Sequence, residues 1–270
     1  MTELVFLKLG GSLITDKTRP FTVRSQVLAR LAQEVAAARV ARPELRLVVA
    51  HGSGSFGHFA AQESGFDRAR NVLTSAAYAK VSAAAATLNT IVRAALLDVG
   101  LPAVSLPPSA SALVRGGDLA ELAVEPYERL LAWNAIPLTY GDVALRDEGE
   151  GTIVSTETVF RFLARHLRPG RLILLGEVEG VYAGDPHAKT DTPVLIPRIS
   201  RANWDTVQDA LGGARGADVT GGMRAKVAEM LALCELMPDL DVRIASGMRP
   251  RLLEQLLLRR DQGAGTTIRA

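Results

Sequence analysis

Five short, largely apolar segments of this chain each lead into glycine. LVFLKL (4–9) meets Gly10-Gly11, and LRLVVA (45–50) passes through His51 to Gly52-Ser-Gly54-Ser-Phe-Gly57. IPLTY (136–140) meets Gly141, RLILL (171–175) meets Gly176, and DVRIAS (241–246) meets Gly247. Continuous apolar runs of this length read as strands covered on both faces. Between them lie segments with helical periodicity: 25–41, 56–64, 74–98, EPYERLLAW, TETVFRFLARHL, Gly222 to Leu236 and 249–259. PAVSL (102–106) and TTI add strands, VLIPRIS follows a long loop, and VALRDEGEGTIVS reads as a hairpin around Gly149 and Gly151. Strands alternating with helices predict a mainly parallel sheet covered on both sides. Ligands of such sheets sit at the carboxyl ends of strands, where these glycines fall.

The 270 residues carry 31 basic and 29 acidic side chains, a net charge of +2. That balance argues against a nucleic-acid partner or an anionic membrane surface. Cys234 is the single cysteine and lies in the apolar run AEMLALCEL. No internal disulfide can form, the thiol reads as buried packing, and a reducing cytoplasm is the expected compartment. The alanine-rich run Ala76 to Leu97 is broken by Lys80, Asn89 and Arg93, so it reads as a soluble helix. MTELVFLKLGG lacks the features of a signal peptide. No repeat divides the chain, which is read as one domain, 1–270, with a mild divide near Pro169-Gly170.

The segment HGSGSFGH matches G-x-G-x-x-G after a strand. A dinucleotide site also needs an acidic residue ending the next strand, and 74–98 is helical instead. What survives is the physics of a glycine turn at a helix N-terminus, which forms an anion site, with Ser53, Ser55 and His58 beside it. In FLKLGGSLITDK, Lys8 sits inside an apolar strand and Lys17 at the far end of the loop. Lys8 reads either as a phosphate ligand or as an edge-strand lysine reaching water. Lys17 reads as a second phosphate cation or a solvated loop charge. Thr220-Gly221-Gly222 opens another helix with Lys226 one turn inside. In LLGEVEGVYAGDPH, Glu177, Glu179 and Asp185 cannot hold a metal by spacing alone, and the loop with Tyr182 and Pro186 reads either as a frame for a nucleotide base and ribose or as a solvated acidic loop. Helix 75–92 offers Tyr78, Val81 and Leu88 to an apolar pocket, or its alanines to close packing.

KLGGSLITDK, HGSGSFGH, YGDV, GEVEGVYAGDP and DVTGGMRAK together resemble the amino acid kinase family, in family order and over nearly the whole chain. TDK and GSFGH are similar to its isopentenyl phosphate branch and that branch's relative, fosfomycin kinase. The resemblance implies a three-layer α/β/α sandwich with a mainly parallel central sheet, usually a homodimer. It implies an acceptor-binding part over about 1–168 and a nucleotide-binding part over about 169–270. Lys8, Lys17 and Lys226 would be catalytic. ATP would be held by Lys8, Gly10, Gly11, Ser12, Gly54, Glu177, Tyr182, Asp185, Gly222 and Lys226. An alkyl monophosphate acceptor would lie against Ser53, Gly54, His58, Ser155 and Thr156. The implied reaction is phosphorylation of isopentenyl phosphate by ATP, in line and without a general base; the alternative is a kinase of fosfomycin or another small phosphate or phosphonate. Mg²⁺ would ride on the ATP phosphates, with no protein carboxylate cage. Three departures stand out: the family often has Ser-Gly-Asp-Asp where this chain has Ser155-Thr156-Glu157-Thr158, the branch tends to have TDVDG where this chain has GEVEG, and Ala225 stands where some relatives carry a second lysine.

Overall fold

The computed structural model describes residues 3–66, 69–147, 149–184, 193–211, 222–260 and 263–270. Its main sheet has eight strands, in spatial order β12 (Arg198–Ile199), β14 (Thr266–Ile268), β13 (Asp241–Ser246), β9 (Arg171–Gly176), β1 (Leu4–Leu9), β2 (Arg46–His51), β6 (Ile136–Tyr140) and β3 (Ala103–Ser105). Every neighbouring pair is parallel except β13–β14. A four-stranded sheet, β5 (Asp118–Glu121), β4 (Leu113–Arg115), β7 (Asp142–Arg146) and β8 (Gly151–Val154), and a hairpin of β10 (Val181–Ala183) and β11 (Val194–Ile196) complete the strands.

Strand alternation sorts the core into two layers. Val5, Leu7, Leu47 and Val49 pack with α2 (Ser25–Ala41), α4 (Ser75–Asp98) and α9 (Leu252–Leu257). Phe6, Val48 and Leu172 turn the other way, toward α5 (Glu125–Ala132), α6 (Thr156–Leu167), α7 (Trp204–Leu211) and α8 (Gly222–Leu236). The result is the three-layer sandwich. Two further helices, α1 (Gly11–Ile14) and α3 (Gly54–Glu63), start directly at the first two glycine turns. No helix among the described residues is long and apolar enough to cross a membrane.

The expected elements largely form, with instructive exceptions. Helix 25–41 and the VALR/GTIV hairpin are present. The helix expected over 249–259 spans only Leu252–Leu257, because Arg251 and Arg259 both take left-handed backbone at φ 66° and 59°. Hairpin β4–β5, turning on Gly116 and Gly117 at φ 56° and 86°, was not expected; nor were α1 and α7. The long loop after β9 contains β10. Cys234 is buried, and burial pushes its thiol up to about 12, so it behaves as packing.

Candidate active site

Lys8 decides how the site is built. β1 lies between β9 and β2, in the middle of the sheet, so Lys8 cannot reach water over an edge. Alternation turns it to the α6–α8 side, where it is 8% exposed. A cation buried there needs a partner. Glu157, in the first turn of α6, pairs with it, and Lys226 Nζ of α8 lies 3.8 Å from the same carboxylate. Burial pushes the Glu157 carboxyl up, but Lys8 and Lys226 outweigh it and hold it at about 2. The longer glutamate thus gathers two of the three expected lysines on one anion.

The two glycine turns fit against each other. A Cβ on Gly11 would lie 2.5 Å from the Gly54 nitrogen, and Gly54 itself has φ +53°. Thr15 stitches the turns: its hydroxyl donates to the Gly11 carbonyl at 2.7 Å and accepts from the Ser55 N–H at 2.9 Å. Below them lies a residue whose role sequence reasoning missed. His51 is fully buried, and burial pushes its imidazole down to about 4, so it is neutral. Nδ1–H donates to the Gly52 carbonyl at 3.1 Å, and Nε2 accepts from the Asn89 side chain at 3.1 Å. Asn89 in turn accepts from Ser105. This network fixes where the second turn starts. The signal in sequence was a histidine at a strand end where a small residue is usual.

A pocket of about 170 Å³ opens at the carboxyl ends of β1, β2, β6 and β9. It is lined by Lys8, Lys17 and Lys226, by Gly10, Gly11 and Ser12, and by Ser53, Gly54 and His58. Ser155, Thr156 and Gly222 also line it. Gly54, Thr156 and Gly222 are the first residues of α3, α6 and α8, so three helix N-termini face one space with three lysines. First-turn N–H groups have no partner within their helix, and the helix dipole favours negative charge there. Two hydroxyls are already engaged: Ser155 accepts from the Thr158 N–H at 2.9 Å, and Thr156 donates to the His51 carbonyl at 2.9 Å. The backbone of this turn, more than its hydroxyls, is what faces an anion.

One wall is apolar: Val81 and Ala85 of α4, and Ile153 and Val154 of β8. Of the three residues expected here, only Val81 lines the pocket. Leu88 is buried in the core beneath α4, and Tyr78 packs beside Leu73 and Ile153. Asp142 at the start of β7 is a further lining residue that the sequence did not single out. Its Oδ2 accepts from the Ser109 N–H at 3.0 Å, and burial pushes its carboxyl up. Glu229 of α8 also lines the pocket; burial first, and then Glu157, push its carboxyl up, while Arg161 lies 3.3 Å away.

The nucleotide-side expectations separate. Gly222 and Lys226 line the pocket, whereas Glu177 turns to Arg24 at 2.6 Å and Tyr182 sits in the β10–β11 hairpin; neither lines it. Asp185, Thr220 and Gly221 lie outside the described residues. Gly247 packs against Leu13 rather than facing the pocket. Among the described residues, no group of three His, Cys, Asp or Glu side chains is placed to hold a metal ion.

Residues 3–246 match the model of the amino acid kinase family. The isopentenyl phosphate kinase of Haloferax volcanii is 38% identical over 86% of this chain and 88% of its own. That of Methanothermobacter thermautotrophicus is 32% identical, covering 94% and 95%. A crystal structure of isopentenyl phosphate kinase superimposes with a TM-score of 0.82 at 28% identity, covering 98% of this chain and 100% of the other.

Proposed function

The chain belongs to the amino acid kinase family, and from that premise we propose that it transfers the γ-phosphoryl group of ATP to isopentenyl phosphate, giving isopentenyl diphosphate and ADP. The observation that carries this reading is the convergence of three lysines and three helix N-termini on a pocket with one apolar wall. Two anionic phosphates repel each other, and the lysines and backbone donors offset that repulsion. Val81, Ala85, Ile153 and Val154 give a short alkyl tail a dry wall.

Phosphoryl transfer of this kind depends on position and charge. Lys8 and Lys226, steadied by Glu157, meet the transferred group from the sheet and α8, and Lys17 closes from the loop. Gly10, Gly11, Ser12 and Gly54 offer backbone to the ATP phosphates, and Gly222 opens the helix that carries Lys226. His58, with Ser53 and the Ser155–Thr156 turn, holds the acceptor's phosphate. A phosphate monoester is already anionic near neutral pH, so no general base is needed. Glu157, held ionised at about 2, is too weak a base to serve as one. Mg²⁺ would arrive with ATP and would supply further charge neutralisation beside Lys8, Lys17 and Lys226. Residues to about 168 form the acceptor part and those from about 169 the nucleotide part, and the working state is a homodimer.

The test is ADP release with Mg²⁺ and ATP against isopentenyl phosphate, dimethylallyl phosphate, fosfomycin and acetylglutamate. Efficient turnover on isopentenyl phosphate with little on fosfomycin supports the reading. Preference for fosfomycin moves the assignment to a phosphonate kinase. His58→Ala is expected to raise the KM for isopentenyl phosphate more than it lowers kcat; an unchanged KM removes His58 from the acceptor site.

A further inference from the structure

Arg161 on α6 joins three elements behind the catalytic lysines. Its Nη2 donates to Asp118 of β5 at 2.7 Å, and its Nε lies 3.3 Å from Glu229 of α8. Hairpin β4–β5, which the sequence did not predict and the mechanism does not use, thus reaches α8 through this side chain. Arg161 stands four residues after Glu157 on α6, and Glu229 three residues after Lys226 on α8. Those spacings put each pair on one helix face, a turn apart. Glu157 meets Lys226 across the two helices at 3.8 Å, and one turn further along Arg161 meets Glu229. The four charges alternate in sign along each helix and between them. Sliding α8 by a turn would set Glu229 against Glu157, so the second pair fixes the register that the first one needs. Burial of Val227, Met230 and Leu231 holds α8 to the core, but apolar burial has no preferred direction.

Glu229 has a choice of cations. It lines the pocket together with Lys226, and pairs three residues apart form readily on a helix. In this structure the carboxylate turns to Arg161 instead, with the two side chains only 26% and 20% exposed. A pair so placed is less screened than one on the open surface. Burial first and then Glu157 push the Glu229 carboxyl up, and Arg161 is the largest influence the other way. Without Arg161, the lysine one turn back on the same helix becomes the competing partner. A Lys226 ammonium held by Glu229 would no longer meet a phosphoryl group.

We propose that Arg161 is a positioning residue: by holding Glu229 on α6, it keeps that carboxylate off the Lys226 ammonium and leaves Lys226 to the transferred phosphoryl group. Arg161 does not line the pocket and acts through Glu229. Asp118 takes the other side of the guanidinium and fixes its plane, a fork that a lysine could not reproduce. The proposal rests on the reading that Lys226 contacts the transferred group.

The test compares Arg161→Gln with Arg161→Gln/Glu229→Gln in the whole protein, by steady-state kinetics and by calorimetric titration of an unreactive ATP analogue. Arg161→Gln is expected to lower kcat with isopentenyl phosphate about ten- to a hundredfold, to leave its KM within about twofold, and to weaken the analogue about tenfold. Adding Glu229→Gln removes the competing carboxylate, so the double variant is expected to regain most of both losses. An Arg161 that only braces the fold predicts the opposite: with both halves of the tie gone, the double variant would be no better than the single one. The proposal is overturned by wild-type kcat and nucleotide affinity in Arg161→Gln, or by losses that Glu229→Gln does not restore. If the wild type turns over no isopentenyl phosphate, the acceptor reading fails by itself, and loss and recovery of analogue affinity decide on Arg161.

Discussion

The two sides of the catalytic pocket are held in place by different means. On the side built from β1, β2 and α3, backbone meets backbone: Gly11 lies against Gly54, Thr15 ties their turns, and neutral His51 anchors Gly52 from below. On the side built after β9, side chains at or near the surface add to the backbone bond from Gly247 to Gly176: Arg24 pairs with Glu177 at 2.6 Å, and Arg249 with Glu179 at 3.4 Å. Exposed ion pairs are worth little, about 0–1 kcal/mol each. In the proposed reaction the rigid side aligns two anions for transfer, and the looser side would meet the nucleotide.

The largest effect expected from breaking the rigid side comes from Lys8→Ala. It removes a phosphate ligand and half of a buried pair, so activity should fall about a hundred- to a thousandfold and stability by about 3 kcal/mol, as read by steady-state kinetics and chemical denaturation. Lys17, exposed on its loop, sharpens the contrast: Lys17→Ala should lower kcat by a similar factor while the melting temperature stays put. Equal losses of stability in both variants would erase the distinction between a built-in and a loop-borne lysine.

His51 gives the rigid side a pH signature. Its folded pKa of about 4 lies below the ordinary histidine value of 6.5, so between those values the unfolded chain binds the extra proton. Stability should therefore be fully present above pH 6.5 and decline as pH falls toward 4, by roughly 3 kcal/mol in all. His51→Gln should flatten that stretch of the curve. Below it, Glu157 and Glu3, both held at about 2, should cause a second decline from pH 4.5 downward. Gly11→Ala should cost about 2 kcal/mol through the clash with Gly54. The smallest effect belongs to the looser side: Arg24→Ala should change stability by less than about 1 kcal/mol, measured in the same denaturation series.

Much of the fold was legible because it rests on local rules. Helix 156–167 begins at a serine that caps it, and strand 241–246 is an unbroken pattern. Hairpin β4–β5 was missed although Gly116-Gly117 marks its turn, because strands of three and four residues leave too little periodicity to see. The cations and glycines that line the pocket were legible, since each lies in or within a few residues of a glycine turn or helix start. What joins them was not. Glu157 contacts lysines far away in sequence, and Asp142 reaches the pocket because β7 starts beside it. Glu177 faces Arg24 because the loop after β9 bends toward the start of α2, a tertiary outcome that spacing cannot reveal.

The central claim is that this pocket joins phosphate to phosphate. Phosphorus NMR of the protein with ATP, Mg²⁺ and isopentenyl phosphate tests it most directly. The account predicts that the monophosphate signal gives way to a coupled pair of diphosphate signals as ADP accumulates, and that Lys226→Ala abolishes the change. ATP consumed with release of inorganic phosphate and an untouched isopentenyl phosphate signal would contradict it.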